Sequence, residues 1–448
     1  MPRAVTVLLC SLNRTDMTRL SRRLPYSCAL IPLVALLAAC GADGPTGLKL
    51  QATTSTVMQG GSAIAVNATG GRKGDKVSWR LLPGSTGTLT PSSDTRSAIY
   101  FPNTAGAAGA LSIEATLRSD KETLALQMQP SPASELVASL PQWWQPVTVS
   151  GMSGITGEPR GFAPDGAGGY YVSYAAPTSK VVQVKAGGAP VEISALAGYS
   201  IIGGTKDGTL YLVQDGASNA LTVSKRTPDG KLSVLTRTAQ HDGKKASIDG
   251  PSGTATAIWT RFTFDSAGNL YALDGSKVRK IAADGAWSTL AGDGCGMGDA
   301  PACAAFPAAG KGSGARIGQG AAIAAGTEGT LYVASAGSIL KITSAGDVTI
   351  LAGATSERSD ARMIDGAGTD AYFHQPQSLS LDTAGNIYAL DYDTIRRITP
   401  AGAVSTVATG IGIQQQGHVE LSAKRIRMND DGTLTYLRAV DLRRVKVQ

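Results

Sequence analysis

A ten-residue pattern recurs through the last two-thirds of the chain and constrains the fold more than any other feature. Its clearest copies are Asp265-Ser266-Ala267-Gly268-Asn269-Leu270-Tyr271-Ala272-Leu273-Asp274 and Asp382-Thr383-Ala384-Gly385-Asn386-Ile387-Tyr388-Ala389-Leu390-Asp391. Each reads as a tight turn followed by a strand of aliphatic and aromatic residues. Six turn glycines mark the copies: Gly168, Gly208, Gly268, Gly329, Gly385 and Gly432, at intervals of 40, 60, 61, 56 and 47 residues. A second half follows each copy, a strand, a turn and another strand, as in 278–292, 339–353 and 395–407. Units this short cannot bury their own faces, so they must stack on one another. The fold class is all-β.

The region 48–130 has a different texture. Short alternating runs such as Ser62-Ala63-Ile64-Ala65-Val66-Asn67, Val77-Ser78-Trp79-Arg80-Leu81 and Leu111-Ser112-Ile113-Glu114-Ala115 are separated by glycine, proline, serine and aspartate clusters. Six or seven such strands predict a small β-sandwich with Trp79 in its core. Residues 131–145, with Pro132 and Pro141, read as a linker, and the repeats occupy 146–448. The sixth repeat is one strand short. The run Pro146-Val147-Thr148-Val149-Ser150 has the missing strand's pattern and is expected to pair with that repeat, which would protect its edge.

The first residues carry an address. Arg14, Arg19, Arg22 and Arg23 precede an apolar run, 29–39, broken by Pro32. That run is far short of the about 20 residues that span a bilayer but suits a secretory signal, with Met1 or Met17 as the start. It ends in Leu37-Ala38-Ala39-Cys40-Gly41, which resembles the lipobox of bacterial lipoproteins. The resemblance implies cleavage after residue 39, a lipid on Cys40 and a tether over 40–47. Gly41, in place of an aspartate, implies the outer membrane of a two-membrane cell envelope. Five arginines against one aspartate give residues 1–39 a net +4 of the whole chain's +7, leaving +3 for the remainder. With no Lys/Arg stripe interleaved with aromatics, nucleic acid is not an expected partner. Cys10 and Cys28 leave with the signal; Cys295 and Cys303 remain, and an oxidising compartment lets them form a disulfide.

Chemistry-bearing residues are sparse. The histidines are His241, His374 and His418, and no zinc-protease helix, phosphate-binding loop or nucleophile elbow is present. No catalytic set, metal or cofactor is expected. His241 and His418 fall in polar stretches and read as solvated loop residues. His374 lies in the loop leading into the fifth repeat, with Asp391 and Asp393 on the same repeat, so these three are the candidates for one end of the assembled repeats. Asp274 stands at the position equivalent to Asp391; acids there ordinarily satisfy turn amides or a neighbouring strand.

The pattern acid-x-x-Gly-Asn-(Leu/Ile)-Tyr, the basic hairpin after it, and the Leu-Ala-Gly close at Leu290-Ala291-Gly292 and Leu351-Ala352-Gly353 together resemble NHL-repeat β-propellers over about 146–448. The resemblance implies a six-bladed ring. Trp79 followed by Pro83-Gly84-Ser85-Thr86-Gly87 resembles bacterial immunoglobulin-like domains, whose expected role here is a spacer between membrane and propeller. Two functions follow by resemblance. One is a membrane-anchored binding or scaffold protein whose propeller face recognises a protein, peptide or envelope glycan. The alternative is a periplasmic metal-dependent hydrolase or lyase of the gluconolactonase-like or amidating-lyase-like type.

Overall fold

The computed structural model describes residues 47–447 apart from 53, 73, 104–107, 141–144, 150–151, 157–158, 175–178, 187, 242–246, 258–259, 295–305, 319, 357–362, 412, 416–417, 422–424 and 439–440. Cys40, Cys295 and Cys303 lie outside the described residues, and with them the expected lipid attachment and disulfide. Among the described residues, helix is confined to three-residue 3-10 turns.

The recurring motif explains itself in atoms. Asp265 Oδ1 accepts the amides of Ala267 and Asn269 at 3.0 and 2.9 Å, while Oδ2 accepts from Asn269 Nδ2 at 2.8 Å and from the Tyr271 hydroxyl at 3.4 Å. Asp382 repeats this with Ala384, Asn386 and Tyr388. One carboxylate thus closes the turn and fixes the strand leaving it. The glycine between them adopts a left-handed conformation in all six copies, with φ between 70° and 89°, which costs a residue without Cβ nothing.

Each motif opens the second strand of an antiparallel set of four strands, to which the fourth sheet adds Gly310–Lys311 and the fifth adds Ile364–Ala367. The first three sheets are Pro159–Pro164 to Val191–Glu192, Tyr199–Gly204 to Leu232–Arg237, and Thr260–Phe264 to Trp287–Ala291. The fourth runs from Gly320–Ala325 to Asp347–Gly353 and the fifth from Pro376–Leu381 to Ala403–Ala408. The sixth contains Arg425–Met428, Thr433–Leu437 and Asp441–Lys446. The first strand of each sheet touches the first strand of the next, and that of the sixth touches that of the first. Buried clusters fill every gap, from Ala163, Ile201 and Leu212 between the first and second sheets to Phe162, Val172, Leu437 and Leu442 between the sixth and first. The fold is propeller-like.

The inner strands leave amides that no strand pairs, and hydroxyls of the preceding sheet accept them. Ser378 and Ser380 Oγ take Ile426 and Met428 N at 3.2 and 2.8 Å, Thr263 Oγ1 takes Ala325 N at 3.2 Å, and Ser173 Oγ takes Ile201 N at 3.0 Å. The sheets approach so closely that a Cβ on Gly161 would stand 2.1 Å from the Ile201 carbonyl oxygen.

The sixth sheet does borrow its fourth strand from upstream, but from a different segment than expected. Ser134–Ser139 pairs with Asp441–Lys446, whereas Gln145–Val149 turns back on Met152–Thr156 as a hairpin. The expected linker therefore contains the closing strand. Docking of the sandwich decides the choice. Ser131 Oγ donates to Thr409 O and accepts Thr409 N, at 3.0 and 2.9 Å, so the chain leaving the sandwich is pinned beside the end of the fifth sheet. A strand starting at Ser134 then falls directly against the sixth.

Eight strands between Lys49 and Gln129 form the sandwich, in two sheets packed over Val57, Ile64, Val66, Tyr100, Leu111, Ile113, Leu126 and Met128. Trp79 packs against this core and donates Nε1 to Thr95 O at 2.8 Å. The sandwich is not a free spacer. Ile364–Ala367 pairs in parallel with Ala63–Thr69 on one side and antiparallel with the fifth sheet's last strand on the other. One continuous sheet joins the two regions, backed by Ala63, Ala354, Ile364 and Tyr372.

Candidate functional site

The acids nominated from sequence are already occupied. Asp391 is buried and accepts from His374 N and Gln375 N at 3.1 and 2.6 Å and from Arg396 Nη1 at 3.1 Å. The fully buried Arg396 also donates Nε to Asp365 at 3.0 Å, Nη2 to Ile364 O at 2.7 Å and Nη1 to Tyr372 O at 3.0 Å, and its guanidinium lies 4.8 Å from the Phe373 ring centre. Asp365 in turn accepts from Thr406 N and Oγ1. Burial pushes the Asp365 carboxyl upward, against the Arg396 charge and the Thr406 bonds. The third sheet repeats the clamp: Arg279, also fully buried, holds Asp249 and Asp274, Asp249 takes Thr289, and Trp287 stacks beneath at 4.8 Å.

The fourth sheet lacks the clamp entirely. Strand register aligns Gly310 with Gly366 and Leu340 with Arg396. The four positions that hold Asp365, Asp391, Arg396 and Thr406 in the fifth sheet are there Ala309, Ser335, Leu340 and Ile350. The set is present whole or absent whole, as expected if a buried charge without its partner is strongly destabilising.

His374 is exposed and meets Tyr392 edge-on, with ring centres 6.0 Å apart. Tyr392 holds φ at 59° in the hairpin after Asp391. Asp393, half-buried beside it, has its carboxyl pushed up chiefly by burial, with the Asp391 charge adding to that. The three sequence candidates do share one end of the fifth sheet, but Asp391 serves Arg396 and two backbone amides there. Two expectations for the other histidines need correcting. His241 is buried, its N donating to Ser218 O and its O accepting Asn219 Nδ2. His418 begins a short strand paired with Ile413–Gln415 rather than sitting in a loop.

A second set of arginines, overlooked in sequence, occupies the inner strands. Arg160, Arg261 and Arg425 stand near the start of the first strands of the first, third and sixth sheets, opposite the Ser173–Tyr174 pair, Leu273 and Leu437 respectively. Arg425 Nε donates to Arg160 O at 3.2 Å. Arg427 Nη1 reaches past the first sheet to Gly204 O of the second, at 2.8 Å, so side chains of the sixth sheet extend into the space the inner strands surround. Burial, with the Arg261 charge adding to it, pushes Arg425 down to about 10. Arg427 is pushed down by burial, against the influence of Tyr170 and Asp430. Among the described residues none of these four guanidiniums has a carboxylate within 4.0 Å. Chemically this is an oxyanion-binding arrangement, since guanidinium forks match carboxylate and phosphate.

No protein-family model and no curated protein matches the chain. Solved structures similar to it include a protein of unknown function from Bacteroides thetaiotaomicron, 14% identical, covering 91% of this chain and 99% of that one at a TM-score of 0.46. A gluconolactonase from Xanthomonas campestris is 11% identical over 71% of this chain and 99% of its own, at 0.41. A glucose dehydrogenase is 13% identical over 71% and 99%, at 0.37. Likeness at this level carries neither activity over to this chain.

Proposed function

We propose that the chain is a lipid-anchored, extracytoplasmic binding protein: a six-bladed, NHL-type propeller fused to an immunoglobulin-like sandwich, with recognition at the end of the ring where the inner strands begin. The observation that carries this reading is how charge is used at that end. Asp274 and Asp391 are spent on Arg279 and Arg396, whereas the inner-strand arginines make no ion pair among the described residues. A hydrolase or lyase of the gluconolactonase-like type needs several carboxylates free for a metal or a proton, and here Asp274 and Asp391 are held by arginine, which leaves Asp393 as the one nominated acid outside an ion pair among the described residues. Recognition of a protein, peptide or envelope glycan needs only the face itself.

The deciding experiment measures thermal stability and lactone hydrolysis of the full chain with and without divalent cations and chelator. The binding reading expects no turnover and no cation-dependent shift in melting temperature. Chelator-sensitive turnover would establish the enzyme reading instead. Cys40→Ala should release the chain from membranes. For the ring, deleting 134–139 should lower the melting temperature far more than deleting 145–156; equal effects would refute closure by the upstream strand.

A further inference from the structure

We propose that Arg261 and Arg425, with Arg160 and Arg427 beside them, form a receptor for a small multivalent oxyanion: a molecule bearing two or more carboxylate or phosphate groups. This deepens, and rests on, the reading of the ring as a binding protein. The geometry comes from strand alternation. Residues two apart on a strand face the same way, about 7 Å apart, so Arg425 and Arg427 project together from the sixth sheet. Their hydrogen bonds to Arg160 O and Gly204 O show that both cross toward the sheets beside and beyond them. Arg261 holds the equivalent position in the third sheet, opposite Leu273 as Arg425 is opposite Leu437, three first strands away in the succession of contacts, and its charge acts on Arg425.

Each guanidinium has five N–H donors. Among the described residues Arg425 commits one through Nε and Arg427 one through Nη1, which leaves the outer fork of Arg425 for a ligand. Elsewhere this chain gives a buried arginine two carboxylates, as at Arg279 and Arg396. Among the described residues no carboxylate lies within 4.0 Å of these four, of which Arg160 and Arg261 are exposed and Arg425 and Arg427 partly buried, so a ligand can bring the negative charge to them. Gathering like charges without counter-charge is costly, and a monoanion would leave most of that repulsion in place. A small ligand fits because Arg427 bridges the sixth and second sheets at Gly204 O, 2.8 Å away, and beyond it exposed Lys206 meets Asp430 at 3.2 Å.

Calorimetry of the full chain with citrate and with pyrophosphate tests this, with glucose as the neutral control. Expected is saturable binding of at least one anion at a single site, weakening as salt rises. Arg261→Gln and Arg425→Gln should each weaken it roughly tenfold or more. Arg118→Gln, on the sandwich, should leave it unchanged. If Arg425→Gln misfolds, the exposed Arg261 carries the test alone. Absence of saturable binding to either anion, or equal affinity in the Arg261 variant, overturns the inference. A chain that binds a neutral peptide or glycan and ignores both anions keeps the broader binding reading and loses this one. Chelator-sensitive lactone hydrolysis would remove the broader reading itself.

Discussion

Arg279 and Arg396 sit where the outer loops fold over the third and fifth sheets, and each is enclosed by two aspartates, two carbonyls and an aromatic ring. Arg425 and Arg427 sit on an inner strand, and each is held by a single carbonyl. The same residue type does opposite things in the two places. In the clamps its charge is cancelled on the spot and the guanidinium becomes a bracket between loop and sheet. On the inner strands, among the described residues, no carboxylate comes within 4.0 Å of either guanidinium. The difference teaches that the arginines this fold buries completely come with two carboxylates each, whereas the partly buried ones on the inner strand do not.

The contrast can be broken most sharply at the third sheet. Arg279→Leu leaves Asp249 and Asp274 without their cation and should cost about 3–5 kcal/mol by denaturant unfolding. Replacing the whole set as the fourth sheet does, with Asp249→Ala, Asp274→Ser, Arg279→Leu and Thr289→Ile together, should recover most of that loss. If the fourfold variant is as unstable as the single one, the clamp is not a self-contained unit. An intermediate effect is expected at Asp441, which joins Arg438 at 2.6 Å and Arg443 at 3.0 Å and lies opposite Ser139 of the closing strand. Burial opposes its charge, but the bonds from Arg438 and Arg443 outweigh that and hold its carboxyl below the usual range. A lowered folded-state pKa contributes stability above the unfolded value of about 4, lost as pH falls through the folded value. Protection of 134–139 against hydrogen exchange, taken relative to the intrinsic rate at each pH, should therefore fall below about pH 4, and Asp441→Asn should flatten that dependence. The smallest effect belongs to the inner strand. Arg425→Gln removes a repelling charge and one carbonyl bond, so unliganded stability should change by under about 1 kcal/mol. A loss as large as that of Arg279→Leu would make Arg425 another structural bracket.

Much of this was written locally. The Asp-x-x-Gly-Asn-x-Tyr turn is legible because all its partners lie within six residues of one carboxylate. The bland role expected of Asp274 and Asp391 follows from the same logic, although their arginine lies five residues on and its second aspartate about thirty residues back. Comparing Asp249-Gly250, Ala309-Gly310 and Asp365-Gly366 with Arg279, Leu340 and Arg396 would have exposed the set from sequence. The closing strand was not legible. Segments 134–139 and 146–150 both read as strands, and the sandwich's docking decides between them. Nor were the inner arginines, since Arg160, Arg261 and Arg425 look like ordinary strand charges until stacking brings their sheets around one centre.

The short strand Ile364–Ala367 has a mechanical consequence. A pull applied at the N-terminal side of the sandwich meets the parallel ladder between Ala63–Thr69 and Ile364–Ala367 and the Ser131–Thr409 latch before it reaches Ser134–Ser139. The load is thereby passed sideways into the fifth sheet. The strand that completes the sixth sheet is shielded from tension, and a tugged molecule would shed its sandwich contacts before the sixth sheet lost Ser134–Ser139.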